Sequence, residues 1–176
     1  MGDVKIKGLA ELQAALAQLP VKMENNILRG ALRAGMKVIA TDARRRVSVV
    51  SGELRDTIRS NCRPDKRIGK LVAYVKAGPV EGTSRKDAKG WYAGWVEYGT
   101  AAHLIKVRPP GKALAVGVAQ VQHPGSRKKP FLRPAFDTKK GEALEVIREY
   151  IRKRLALKHG IDVPGPDSGE REDDAS

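Results

Sequence analysis

A chain of 176 residues, 41% apolar and 31% charged, is long enough for one domain with a core of its own and too short for a second. No run approaches the ~20 consecutive apolar residues that cross a bilayer, and the first residues lack the apolar stretch and cleavage site of a signal peptide, so a cytoplasm-like setting without a membrane partner is expected. The formal charge of +14 is unevenly spread: beyond Gly160 six acids face one base, a local −5 that leaves +19 on the remainder, enough to attract polyanions or acidic protein surfaces through a field that salt weakens.

Leu9, Leu12, Leu16 and Leu19 recur at helical spacing and Pro20 closes them, which predicts a short amphipathic helix over residues 8 to 19. The longest helix is predicted from Val21 to about Val47, with Leu28, Leu32, Gly35, Ile39, Ala43 and Val47 on one stripe. Another face of it carries Arg29, Arg33 and Lys37 at intervals of four, with Arg44 two turns on. Such a ridge is usually the solvated side of an amphipathic helix; its functional reading is a contact for DNA or for an acidic partner. Ser48 to Gly52 breaks the pattern, and Glu53 to Ser60 suits either a short strand or a turn of helix.

Leu71, Ala73, Val75 and Ala77 alternate with Val72, Tyr74 and Lys76 as in a strand, which Gly78-Pro79 ends. The polar tract from Glu81 to Gly90 reads as an exposed loop. Trp91, Trp95 and Tyr98 then stand at i, i+4 and i+7 before Gly99, the pattern of a short helix with a C-terminal cap. Trp91, Tyr92 and Trp95, interleaved with Lys89 and Arg85, admit a reading as base-stacking aromatics beside phosphate-binding cations, but their helical spacing favours core packing. Two strand-like runs, His103 to Val107 and Ala113 to Val121, flank Pro109-Pro110-Gly111 and suggest a protruding hairpin.

A basic run, Arg127-Lys128-Lys129, leads to Pro130 and Pro134, which should hold Phe131-Leu132 extended until the last helix begins. That helix places Leu144, Ile147, Ile151 and Leu155 on its apolar stripe, with Arg148, Arg152, Lys153 and Lys158 among its polar positions. Residues 160–176 are rich in Pro, Gly, Ser and acids, a composition that does not bury enough apolar surface to offset ordering, so a disordered acidic tail is expected after a single domain over residues 1–159.

Chemistry finds little support. The single cysteine, Cys62, excludes an internal disulfide and offers no zinc spacing, and His103, His123 and His159 fall in no metal-binding pattern. Glu97 lies beside the aromatic helical face, but without a partner acid or nucleophile it reads as a capping or ion-pairing residue. The serines lack the context of a nucleophile elbow, and no glycine cluster matches a phosphate loop. No catalytic, metal-binding or cofactor-binding residue is therefore assigned, and no cofactor is expected.

Several segments, in order, carry a resemblance. Gly8-Leu9-Ala10-Glu11-Leu12 through Leu19-Pro20 and Leu32-Arg33-Ala34-Gly35 resemble the opening of the gene-product-ten-like tail-component family of lambdoid siphophages. Ser51-Gly52-Glu53-Leu54-Arg55-Asp56-Thr57-Ile58 resembles its TGxLRxSI element. Tyr92-Ala93 with Val96-Glu97-Tyr98-Gly99-Thr100, then His123-Pro124-Gly125 with Pro130-Phe131-Leu132-Arg133-Pro134-Ala135-Phe136-Asp137, are similar to its later elements, while Gly94-Trp95 departs from the pattern.

This resemblance covers roughly residues 8 to 155 and implies an α+β fold, in which a long helix and a C-terminal helix pack on a small, mostly antiparallel sheet. Within it Gly52, Leu54, Arg55, Tyr98, Gly99, Pro130, Phe131, Arg133 and Pro134 would be structural. It further implies a non-enzymatic virion protein for tail completion or head-tail joining, assembled in the host cytoplasm as a homo-oligomeric ring, sixfold by expectation, in the neck between head connector and tail tube. Partners would be other neck and tail proteins, such as tail terminator, tube or head-closure subunits, with non-specific contact to genomic DNA in the lumen. The alternative to weigh against it is a nucleic-acid-binding protein that uses its basic surface.

Overall fold

A computed structural model describes residues 9–48, 52–84, 88–106, 120–161 and 163. In chain order these form α1 (Leu9–Ala17), α2 (Val21–Arg46), α3 (Glu53–Asp56), β1 (Arg59–Asp65), β2 (Lys70–Lys76), α4 (Ala93–Tyr98), β3 (His103–Lys106), β4 (Gln120–His123) and α5 (Leu132–His159). The fold is α+β, with every strand pairing antiparallel: β1 with β2, and separately β3 with β4.

Helix α2 is the centre of the molecule. Its predicted stripe is buried at Gly35, Ile39, Ala43 and Val47, and its flanks pack on β1 and β2 on one side and on α5 on the other. Among the described residues the α2–α5 contact is the most extensive, so the C-terminal helix packs chiefly on the long helix, where the sequence suggested packing on the sheet. At 28 residues α5 is also longer than the 26-residue α2.

Small residues let these two helices approach closely. Ala31 and Ala143 are fully or almost fully buried, and a Cβ built on Gly35 would lie 2.6 Å from Ile147 Cγ1 and 2.8 Å from the Ala143 carbonyl oxygen. One core cluster, Ile39, Ala43, Leu54, Ile58, Ala93 and Phe131 among others, joins α2 to the α3–α4 region. A second, built from Leu12, Leu16, Ile27, Ala31, Ile151, Leu155 and Val163, closes the other end under α1. The chain therefore stays on the core past Gly160, where a left-handed turn brings the Ile161 N–H to the Leu155 carbonyl; residues 164–176 lie outside the described set.

The choice left open for Glu53 to Ser60 divides: Glu53–Asp56 form the helical turn α3, while Arg59 and Ser60 open strand β1, whose remainder has no counterpart in the sequence reading. β1 is polar, carries Pro64 and buries Cys62 alone of its residues, so it shows no apolar alternation. β2, by contrast, follows its predicted span closely, and each of its residues after Lys70 is half-buried.

The C-terminal end of α2 is tied to α5 by a polar clamp. Asp42, 9% exposed, accepts a 2.5 Å bond from Arg46 Nε, while Arg46 Nη2 donates to Thr138 Oγ1 at 2.9 Å and that hydroxyl donates to the Pro134 carbonyl. The hydrogen bond from Arg46 holds the Asp42 carboxyl below its ordinary value, against the opposite push of burial. A carboxylate so depressed stabilises the fold above its unfolded pKa of about 4 and loses that contribution as pH falls through the lower folded value. Asp42→Asn is thus expected to cost about 1 kcal/mol at neutral pH and to flatten the acid limb of a melting-temperature profile below about pH 4. An acid limb identical to that of the parent chain would contradict this.

Candidate interaction surface around helix α4

The segment before α4 is held by the chain's own polar groups. Arg59 donates to the carbonyls of Gly78 and Pro79, each at 2.7 Å, and the Gly78 N–H donates to Thr57 Oγ1 at 3.1 Å. These bonds deliver the chain to α4, whose inward side presents Ala93, Glu97 and the half-buried Val96.

Glu97 is 6% exposed, and its carboxylate closes the N-terminus of a helix far along the chain. Oε2 accepts from the backbone N–H of Phe131 at 2.7 Å and of Leu132 at 2.9 Å, and Oε1 accepts from Arg133 at 3.0 Å. Four N–H groups at a helix start have no partner within the helix. Here the fourth position is Pro134, which has no N–H to satisfy. The arrangement accounts for the whole terminus, and negative charge at that end also suits the helix dipole.

Pro134 thus sits inside the first turn of α5, and the helix begins at Leu132 instead of after an extended Phe131-Leu132. Phe131, at 1% exposure, anchors the junction in the core, whereas Pro130 and Arg133 are exposed.

A second lock lies beside the first. Thr100 and Ser126 exchange backbone hydrogen bonds at 3.1 Å each, and the Lys129 N–H donates to the Val96 carbonyl at 2.8 Å. The backbones come so close that a Cβ on Gly99 (φ 74°) would lie 2.7 Å from the Ser126 carbonyl oxygen, and one on Gly125 (φ 84°) 2.2 Å from that of Thr100. Both positions combine a left-handed backbone with close approach, which only glycine tolerates without strain. From here β3 and β4 pair in register, His103 opposite His123; of the predicted second run only Gln120 and Val121 are described, and residues 107–119, with Pro109-Pro110-Gly111, lie outside the described residues.

Of the aromatics whose spacing suggested core packing, Tyr92 is half-buried against the core but the two tryptophans are not, and Arg85 lies outside the described residues. Trp91, Trp95 and Tyr98 are 59%, 54% and 74% exposed. The two indoles meet edge to face, with centroids 4.8 Å apart and planes at 82°. Among the expected structural residues, Tyr98 therefore contributes no buried ring, while Leu54 is buried, Gly52 forms the left-handed start of α3 and Arg55 is exposed beside Asp56.

The basic ridge of α2 is divided by its surroundings. Arg29 is half-buried, with its Nε enclosed, and the charges of Arg29 and Arg33 are felt at Cys62 on β1. Arg44 donates to the Ile58 carbonyl just ahead of that strand. Lys37 is exposed and lines a groove with Ala34, Thr41, Arg45 and, from α5, Lys139 and Glu142. The four cations therefore do not form one outward row. Burial pushes the Cys62 thiol above its ordinary value in spite of those arginines, which keeps it in the unreactive protonated form.

The model of the family described as "Bacteriophage HK97-gp10, putative tail-component" matches residues 10–99, just over half of the chain. The chain belongs to this family. In this tail component the matched stretch runs from α1 to the end of α4 and includes Glu97 and Gly99; the resembling elements from His123 to Asp137 lie beyond it. No curated protein and no solved structure matches the chain.

Proposed function

We propose that this tail component is a non-enzymatic subunit of a ring at the head-proximal end of the tail, where it completes the tail and joins it to the head. Family membership over residues 10–99 carries the reading. The roles of the most conspicuous polar residues agree with it. Glu97, the acid nearest to an aromatic face, is fully engaged in holding a helix terminus, and Asp42 clamps two helices. Both are architectural tasks.

A closed cyclic ring is built from heterologous contacts, so each subunit needs two different surfaces that fit one another. The hairpin on β3 and β4 and the loop around residues 80 to 90 are our candidates for contacts between subunits or between rings. Arg33, Lys37 and Arg44, the exposed members of the basic ridge, are candidates for DNA in the lumen or for an acidic neighbouring ring.

Particles assembled without this protein provide the test. Heads and tails should accumulate unjoined, and added protein should restore joining and appear by negative-stain microscopy as a ring at the head-proximal tip of the tail. Decoration elsewhere on the tail, or normal particles in its absence, would refute the assignment. A nucleic-acid-binding protein would instead bind duplex tightly as a monomer, with a steep dependence on salt.

A further inference from the structure

The chain has only two tryptophans, and both are exposed: Trp95 on the outer face of α4 together with Tyr98, and Trp91 in the turn just before that helix. A sequence with 5% aromatic residues has few to spare for its core. Three of them grouped on the surface form an apolar patch of the kind that marks an interaction site. Trp and Tyr are also the residue types that dominate binding energy at the centres of protein interfaces.

The patch has a charged border. The exposed run Arg127-Lys128-Lys129 crosses the C-terminal end of α4, fixed there by the bond from the Lys129 N–H to the Val96 carbonyl and by the Thr100–Ser126 bridge. An aromatic centre and a cationic border are thus held on one rigid junction, which the Glu97 carboxylate ties to α5.

We infer that Trp91, Trp95, Tyr98 and the Arg127–Lys129 run form the docking face for a different protein of the tail or neck, one presenting an apolar patch bordered by acidic side chains. The inference rests on the reading of the chain as a tail-end subunit. Charge selects the occupant. A second copy carries a net +14, so it is disfavoured against this cationic border, where an acidic surface is steered in. Nucleic acid fits less well: the indoles cross at 82°, which offers no parallel platform for successive bases, and the bases of a duplex are already stacked.

The test uses the full chain labelled with 5-fluorotryptophan, which yields resonances from these two positions alone, and tails purified from particles made without it. Tails should perturb both resonances, and co-sedimentation should weaken at least 30-fold for the double variant Trp91→Ala, Trp95→Ala. Lys128→Glu with Lys129→Glu should weaken it about 10-fold at low salt and much less at high salt, the behaviour of steering charges at a border. These side chains are exposed, so unchanged urea midpoints are expected and exclude misfolding as the cause.

Full binding by the tryptophan variant would overturn the inference while leaving the tail-end reading intact. Perturbation of the resonances by self-association alone would assign the face to a second copy and overturn it too, as would perturbation by duplex DNA without any by tails. Failure of the unaltered chain to bind tails would overturn the inference together with the reading beneath it.

Discussion

Glu97→Ala is expected to destabilise the fold by about 3–4 kcal/mol, the largest effect of any single side-chain truncation outside the apolar core. The carboxylate accepts three backbone N–H groups, from Phe131, Leu132 and Arg133. Leaving a buried donor without a partner costs roughly 1–3 kcal/mol each. The Phe131 N–H is deepest and bears most of this, while the Arg133 N–H lies nearer to water and bears least. Glu97→Gln retains one acceptor oxygen but places an amide nitrogen against a donor, so a cost of about 2 kcal/mol is expected for it.

Urea denaturation should show the order parent, Gln, Ala. Amide exchange should rise first at residues 131 to 133. A loss confined to α4, with α5 protected from its first turn, would show that the cap does not carry the junction. No pH change is needed to see the effect, because the comparison is between side chains at neutral pH.

The same residue shows where the sequence was legible and where it was not. The stripes of α2 and α5 were readable because a 3.6-residue period coincides with burial at Ile39, Ala43, Ile151 and Leu155. Glu97 read as a capping or ion-pairing residue, which is correct, but its helix begins 35 residues later and no local pattern points there. For the same reason Pro134 read as a barrier to helix. With the acceptor supplied from α4, a proline in the first turn is no obstacle.

The aromatic stripe failed in the opposite way. Hydrophobic periodicity reports that one side of a helix is apolar, not what covers it. In the six residues of α4 the inward side is made of Ala93, Val96 and Glu97, so the large rings face out. A small residue opposite a large aromatic at helical spacing was the one available signal. Most of β1 was invisible because its pairing with β2 comes from backbone hydrogen bonds and the burial of Cys62 alone, with no alternation to read. The basic ridge was correctly placed on one helix, but which of its cations meet the sheet depends on where β1 lies.

Gly35→Leu is expected to be the most damaging substitution on α2. Its first added carbon would fall 2.6 Å from Ile147 Cγ1, 2.7 Å from Cδ1 and 2.8 Å from the Ala143 carbonyl oxygen. The side chain of Ile147 is able to turn away; the backbone of α5 moves only if the helices part. Overpacking of this kind costs about 1–3 kcal/mol and occasionally more, and a leucine between two helices in contact belongs at the upper end. Gly35→Ala adds helix propensity of about 1 kcal/mol, which offsets part of a smaller wedge, so a net loss near 1 kcal/mol is expected.

Combining Gly35→Leu with Ile147→Ala should recover at least 1 kcal/mol relative to the sum of the single effects, since the two changes share one space. Strict additivity would mean that the backbone contact at Ala143 alone limits the approach. Because α5 carries the terminus that Glu97 holds, parting α2 from α5 also draws Phe131 out of the core and frees α4. A wedge in the middle of the helix pair should therefore raise amide exchange at residues 131 to 133 as well as at the site of substitution.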